Sequence, residues 1–291
     1  MLHRYVLHND SVIEAAAEVL APGQVGLLSG WGVFTTLRVA GGVLFAWERH
    51  WARIQRDARL LRVPRPTDPE RLRLKLLELV AANQAPNCTL RLAIVRNRGG
   101  VWTGPSNGRD CDVIGLTVNS KHWGEGVNLA YQEQGRHARS MFAGTKILSW
   151  AQNLTWLEMA QERGFDEVIL LNERGEVSEC TSANIFIARG NQVWTPPLAS
   201  SGCLPGVTRQ VLLGEVRVPG ISIGERDITP AELEAADEIF ITSTTRDLLP
   251  VLRVEKCVLP TAHRVREALQ TAFSGYLRRY IDEHQPAAIT R

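Results

Sequence analysis

The sequence predicts an α+β (mixed α/β) chain of two domains, and three observations carry that prediction. The length, 291 residues, is about twice the ~150 residues of an average domain. Strand-like and helix-like segments are mixed along the chain without regular βαβ alternation, which argues against a doubly wound sheet. A polar, glycine-containing stretch, Asn119-Ser-Lys-His-Trp-Gly-Glu-Gly126, breaks the apolar pattern before the middle of the chain. It predicts a smaller N-terminal domain over 1–119, a linker over 120–126 and a larger domain over 127–291.

The N-terminal elements follow from period and punctuation. Val33–Val39 and Val43–Ala46 flank Ala40-Gly41-Gly42, a hairpin signal. Trp47, Trp51, Ile54, Ala58 and Leu61 recur at spacings of four and three, which predicts a helix stopped by Pro64 and Pro66. Asp68-Pro69-Glu70 supplies a cap, a first-turn proline and an acidic first turn for the next helix, with Leu72, Leu76 and Leu79 inward. Thr89–Val95 and Asp112–Val118 read as strands.

Beyond the linker, a strand near Val127–Tyr131 precedes a helix from about Ser149 to Arg163, ended by Gly164. Strands over Val168–Leu171, Ile185–Ala188 and Gln192–Trp194 are separated by Gly-containing turns. Thr229-Pro-Ala-Glu232 is a capping box with proline at the first helical position. Strands over Glu238–Thr242 and Val251–Val254 and a long helix from about Thr261 complete the pattern.

Composition narrows the function. With 44% apolar and 22% charged residues the chain is not a disordered one. Its 33 basic and 31 acidic residues leave a net charge of +2, too little to draw in nucleic acid or an anionic membrane. No apolar run approaches the ~20 residues of a membrane helix, and the first ten residues lack the apolar stretch of a signal peptide. Five scattered cysteines without metal-ligand spacing point to reduced thiols, so a cytoplasmic location is expected. The seven histidines form no HExxH motif or close pair, so no metal is expected.

Only four of the 33 basic residues are lysines (Lys75, Lys121, Lys146 and Lys256), leaving 29 arginines. Arginine cannot form a Schiff base, so each retained lysine is a candidate nucleophile. Lys146 follows Met141-Phe-Ala-Gly144 and precedes a predicted helix, a loop position where reactive groups are commonly held. Taken alone it reads far more readily as a solvated loop lysine, although its apolar and small neighbours argue against full exposure. Glu179 stands at a predicted strand end beside small polar residues, where a carboxylate can face a bound cation or simply complete a turn.

At ~100° per residue, His50 and Arg53 flank the apolar stripe of their helix, whereas Arg56 lies opposite it. The arginine row 53, 56, 59, 62 is interrupted by Asp57 and lacks aromatic platforms, so it is no nucleic-acid track. Gly206-Val-Thr-Arg209 opens a helix after Leu204-Pro205, and Thr242-Ser-Thr-Thr245 follows a strand. Hydroxyls and free N–H groups at a helix start suit an anion, although Thr208 could serve only as a cap. One lysine, one carboxylate and a phosphate grip are the set that pyridoxal phosphate requires.

These segments resemble the class IV, fold-type IV pyridoxal-phosphate enzymes, which include branched-chain and D-amino-acid aminotransferases and aminodeoxychorismate lyases. The resemblance covers nearly the whole chain. It is carried by Lys146, Arg163-Gly-Phe-Asp-Glu-Val-Ile-Leu-Leu-Asn172, Gly175-Glu-Val-Ser-Glu179 and Asn184-Ile-Phe186. Gly30–Arg38, His50-Trp-Ala-Arg53, Leu204–Arg209 and Ser243-Thr-Thr support it.

The resemblance implies a two-domain fold like that of D-amino-acid aminotransferase, a homodimer, and pyridoxal 5'-phosphate as cofactor. Lys146 then corresponds to the Schiff-base lysine and proton shuttle, and Glu179 to the partner of the pyridinium nitrogen. Arg53, Val207, Thr208 and Thr244 correspond to phosphate contacts, with Asn184 and Ser243 among the cofactor-binding residues. Phe34, Thr36 and Arg38 alternate on one strand and correspond to substrate-pocket positions. The implied activity is ping-pong transfer of an amino group between an amino acid or amine and a 2-oxo acid. The alternative is elimination of pyruvate by an aminodeoxychorismate lyase.

Several positions depart from single branches of the family. Ala151 stands where branched-chain enzymes carry a tyrosine, and the Arg-x-His motif of D-amino-acid enzymes has no clear counterpart in Arg96–Trp102. Phe34-Thr-Thr and Glu179-Cys-Thr-Ser-Ala-Asn184 lean toward the lyase.

Overall fold

The computed structural model describes residues 1–18, 20, 23–99 and 108–285. The chain groups into two compact units, and the grouping is not a single cut in sequence. Unit 1 takes Met1–Lys121, Lys146–Trp150 and the chain from Leu277 on, and unit 2 takes His122–Thr145 and Ala151–Tyr276.

Unit 1 contains β1 (Tyr5–His8), β2 (Ser11–Glu14), α1 (Val25–Ser29), β3 (Gly32–Ala40), β4 (Val43–Leu44), α2 (Trp47–Leu60), α3 (Pro69–Ala82), β5 (Cys88–Arg96) and β6 (Cys111–Asn119). Its strands form one antiparallel sheet in the order β2-β1-β6-β5-β3-β4. Burial along β3 is continuous from Gly32 to Thr35 and alternates beyond it, and Val33, Leu37 and Val39 join the core with Trp47, Trp51 and Ile54 of α2 and Leu72, Leu76 and Leu79 of α3. The Asp68 carboxylate caps α3 by accepting the Glu70 and Arg71 N–H groups at 3.0 and 2.9 Å, as the sequence predicts. β4 pairs with β3 only at Val39 and Ala40. The edge of β3 is occupied near its start by Lys146–Leu148: Phe34 N–H donates to Lys146 O and Leu148 N–H to Gly32 O, each at 3.0 Å.

Unit 2 contains β7 (Val127–Gln132), α4 (Ala151–Glu162), β8 (Glu167–Leu171), β9 (Val177–Cys180), β10 (Asn184–Arg189), β11 (Gln192–Thr195), α5 (Leu198–Ser201), α6 (Val207–Gly214), β12 (Ser222–Glu225), α7 (Pro230–Glu234), β13 (Glu238–Ser243), β14 (Asp247–Val254) and β15 (Cys257–Val258). α8 (Arg264–His284) follows. The strand order is β12-β11-β10-β13-β14-β7-β8-β9, with β15 on β14. β7 lies parallel to both β8 and β14, and β11 lies parallel to β12. Ile185, Ile187, Ile239, Ile241 and Val251 are among the residues of its core.

Two helix starts differ from the predicted ones, each for a local reason. α4 begins at Ala151, two residues late, because Leu148 is drawn to the edge of β3 and the Ser149 hydroxyl donates to Gly30 O at 3.0 Å. α8 begins at Arg264, where Glu238 of β13 accepts the N–H groups of Val265 and Arg266 at 2.8 and 2.9 Å. That carboxylate is the N-terminal cap which the sequence around Thr261 does not supply. No described helix is long and apolar enough to cross a membrane.

Candidate active site

Within unit 1, Lys146 is half-buried and its Nζ lies 4.6 Å from the ring centroid of Phe34 and 5.8 Å from that of Trp150. The two rings meet edge to face at 6.1 Å. On the strand carrying Phe34, Thr36 and Arg38 are half-buried, while the intervening Thr35 and Leu37 are fully buried. The pleat thus places Phe34, Thr36 and Arg38 on the face away from α2. The Arg91 guanidinium also stacks on Phe34, 4.6 Å from its centroid, and burial pulls its pKa below the ordinary arginine value.

α2 presents a buried polar stripe, His50, Arg53 and Asp57, at helical spacing. Arg53 Nη2 donates to Thr35 Oγ1 at 2.8 Å, and that hydroxyl lies 2.7 Å from His50 Nδ1. The Thr35 hydroxyl, which can accept twice and donate once, therefore bridges the guanidinium and the imidazole, while His50 Nε2 is buried with no hydrogen-bond partner among the described residues. Burial pushes His50 well below the usual histidine range, and the Arg53 and Lys146 cations add to the effect. Arg53 therefore occupies the core-edge flank that the helix phase predicts.

Arg56, placed opposite the core by the same phase, keeps a partly exposed side chain. Its guanidinium nevertheless turns back on its neighbour, donating from Nε and Nη2 to Asp57 Oδ1 at 2.8 and 2.5 Å. The expectation of a purely solvated Arg56 is thus corrected, because Asp57 is a buried carboxylate that attracts it.

In unit 2, Glu179 ends β9 in a buried position. Oε1 accepts from Arg136 Nε at 2.9 Å and Oε2 from the Leu204 N–H at 3.1 Å. Asn184, at the start of β10, donates from Nδ2 to Leu204 O at 2.8 Å. One backbone unit, Leu204, thereby ties Glu179 and Asn184 to the segment leading into α6. A Cβ on Gly206 would fall 2.1 Å from Asn184 Oδ1, so only glycine lets the chain pass Asn184 this closely.

α6 has no side-chain cap, and the Gln210 N–H donates to Gly206 O at 2.9 Å to begin its ladder. The N–H groups of Val207, Thr208 and Arg209 thus have no acceptor within the helix. Thr208 is buried, and the Arg209 guanidinium turns to Pro196 O and Glu225.

Ser243 and Thr244 lie half-buried where β13 ends. Trp123 Nε1 donates to Thr245 O at 2.8 Å, and the Arg246 guanidinium stacks 3.9 Å from the Trp123 centroid. Arg246 pairs with the fully buried Glu167 at 3.1 Å and donates to Ser182 O, and Glu167 also accepts from the Thr181 and Ser182 hydroxyls. This buried pair joins the Ser243–Thr245 segment to the turn between Glu179 and Asn184.

Sequence reasoning misses Arg136, Asn153, Asp57 and the Glu167–Arg246 pair. Arg136 donates to Glu179 and contacts Asn153, whose Nδ2 donates to Thr181 O at 3.0 Å. Among 29 arginines nothing marks Arg136 except its place after a strand end. The segment compared with the Arg-x-His motif runs past Gly99, and Gly100–Trp102 lie outside the described residues. Among the described residues no group of three or more His, Cys, Asp or Glu side chains could hold a metal ion.

The family model for amino-transferase class IV matches residues 32–254. The chain belongs to the class IV aminotransferases and is an enzyme of that family. It is 28% identical to D-alanine aminotransferase of Bacillus licheniformis over 277 residues, covering 92% of this chain and 96% of that one. The structure of the branched-chain aminotransferase from Thermoproteus uzoniensis with norvaline superposes with a TM-score of 0.85 at 25% identity, covering 96% of this chain and 98% of that one. The branched-chain amino acid aminotransferase of Escherichia coli gives 0.86 at 22% identity, covering 94% of this chain and 95% of that one.

Proposed function

We propose that the enzyme uses pyridoxal 5'-phosphate, with Lys146 as its reactive amine, to move an amino group between an amino acid or amine and a 2-oxo acid. The observation that carries this reading is Lys146 itself, fixed on the edge of β3 with its amine against Phe34 and Trp150. The residues present fit the cofactor. The buried Glu179 is held by the Arg136 guanidinium and the Leu204 N–H, a fixed carboxylate of the kind that partners a ring nitrogen. The uncapped start of α6 offers backbone donors to a phosphate.

When bound, the cofactor supplies an aldehyde carbon for the amino group and a ring that disperses negative charge from the substrate carbon. Lys146, released from the cofactor by the incoming amine, would take the proton from the substrate Cα. Glu179 holds the proton on the ring nitrogen, with Arg136 keeping the carboxylate in place. Arg53, the N–H groups of Val207 and Thr208, the Thr208 hydroxyl, Ser243 and Thr244 bind the phosphate, and Asn184 holds the Leu204–Gly206 segment. Phe34, Thr36 and Arg38 face the substrate. The amino donor and the 2-oxo acid acceptor are the enzyme's small-molecule partners.

A cytoplasmic location is supported by five cysteines that are all free, and a homodimer by the family resemblance. The test of the central claim is chemical. Wild-type protein incubated with pyridoxal phosphate and then borohydride is expected to be labelled on Lys146, and Lys146→Ala to lose the label from that peptide and to transfer no amino group. A folded wild-type chain that stays colourless and unlabelled refutes the reading.

A further inference from the structure

The third member of the polar stripe on α2, Asp57, has no part in the chemistry described above. It is 1% exposed, yet it carries a carboxylate. Its two oxygens are divided between two tasks. Oδ1 takes the fork of the Arg56 guanidinium, and Oδ2 accepts the backbone N–H of Lys146 at 3.0 Å. The Lys146 carbonyl accepts from Phe34 N–H, also at 3.0 Å. Both backbone polar groups of the lysine are thus fixed, one by a buried side chain of α2 and one by β3.

We propose that Asp57 is a positioning residue, holding the Lys146 backbone so that the amine is presented beside Phe34 and Trp150. The proposal rests on the reading of Lys146 as the reactive amine.

Two observations separate this role from ordinary burial. The segment bearing Lys146 is short and meets β3 through only two strand-like hydrogen bonds, and the lysine side chain is not itself packed into the core. The Asp57 bond is also charge-assisted, hence stronger than a neutral one, and it acts on the very residue whose side chain must be placed. Arg56 turns the buried carboxylate into a neutral pair and orients it, leaving Oδ2 aimed at the lysine. Arg53 lies one turn before Asp57 on the same helix, so α2 sets the position of the proposed phosphate ligand and of the lysine backbone together.

The test measures the rate at which pyridoxal phosphate, trapped with borohydride, labels Lys146, with Lys75 on α3 as the internal control. Hydrogen exchange of the Lys146 amide is followed in the same proteins. Asp57→Leu removes the acceptor and is expected to slow labelling of Lys146 by about tenfold to a hundredfold, the scale of a misplaced reactive group, with Lys75 unchanged. Its Lys146 amide is expected to exchange faster. Asp57→Asn keeps an acceptor oxygen and is expected to restore both readouts most of the way. Where Asp57→Leu does not fold, Asp57→Ala is read in the same way. Wild-type labelling at Lys146 together with unchanged labelling and amide protection in the apolar variant overturns the positioning role alone. Failure of the wild type to label Lys146 overturns the reading of the lysine, and this proposal with it.

Discussion

Thr35 places one hydroxyl between two nitrogen-bearing neighbours, the Arg53 guanidinium and the His50 ring, in a dry environment. A charged ring there would bury its Nε2–H without a partner beside the Arg53 cation, so burial and Arg53 both favour the neutral imidazole. His50 is fully buried and its folded pKa lies well below the ordinary histidine value of about 6.5. Below that pH the unfolded chain binds a proton that the folded chain refuses, so stability rises with pH through this window and is lost on acidification. The slope contributed by His50 reaches about 1.4 kcal/mol per pH unit below pH ~6.5 and vanishes above it. His50→Gln, which keeps an acceptor for Thr35, is expected to flatten the urea-unfolding stability between pH 6.5 and 5.5 relative to wild type. Parallel curves for the two proteins would contradict the burial of a neutral His50. At this scale the sequence exposes Arg53 and His50 through helix phase, because phase decides which side chains border the core. It hides Asp57, since a charged residue between arginines reads as surface until the fold brings a backbone N–H to it.

Elements place what residues cannot place alone. β3 and α2 are legible because period is what they obey: alternate burial from Thr35 to Val39 and a four–three spacing from Trp47 to Ala58. The Lys146 segment is not legible in this way, since backbone hydrogen bonds to a strand edge leave no trace in side-chain pattern. Nor is the pairing of Glu167 with Arg246, 79 residues apart. Both side chains are buried, burial pulls the arginine below its ordinary pKa, and Glu167 opposes that shift. Because the pair ties the turn after β9 to the end of β13, its loss is felt by two elements at once. Arg246→Met leaves Glu167 as a buried charge supported only by hydroxyls and a backbone N–H, and is expected to cost about 3–5 kcal/mol in denaturant unfolding. The double variant Arg246→Met with Glu167→Gln removes both charges and is expected to recover a large part of that loss. Strictly additive losses would show that the two side chains act independently.

At the scale of the whole molecule the family is settled, and the direction of its chemistry follows from what each candidate reaction does with its acceptor. The roles proposed for Lys146, Glu179 and the start of α6 would serve amino-group transfer and elimination alike, so they do not divide the two reactions. Two short segments lean toward elimination in sequence, Phe34-Thr-Thr36 and Glu179-Cys-Thr-Ser-Ala-Asn184. In the structure three of their hydroxyls are engaged within the protein: Thr35 serves His50 and Arg53, and Thr181 and Ser182 serve Glu167. Those three carry no argument about substrate, which leaves Phe34 and Thr36, on the other face of β3, to carry the sequence likeness. Transfer makes a definite stoichiometric demand. A transferase given only its amino donor forms 2-oxo acid equal to the enzyme present and stops, because the amino group has nowhere to go. Adding pyruvate or 2-oxoglutarate is expected to restart turnover. Offering D-alanine and L-leucine in parallel, each without acceptor, then reads the handedness of the donor from which one yields that stoichiometric burst. A lyase needs no acceptor, so pyruvate released from aminodeoxychorismate over many turnovers, with no burst from either amino acid, would reverse the assignment.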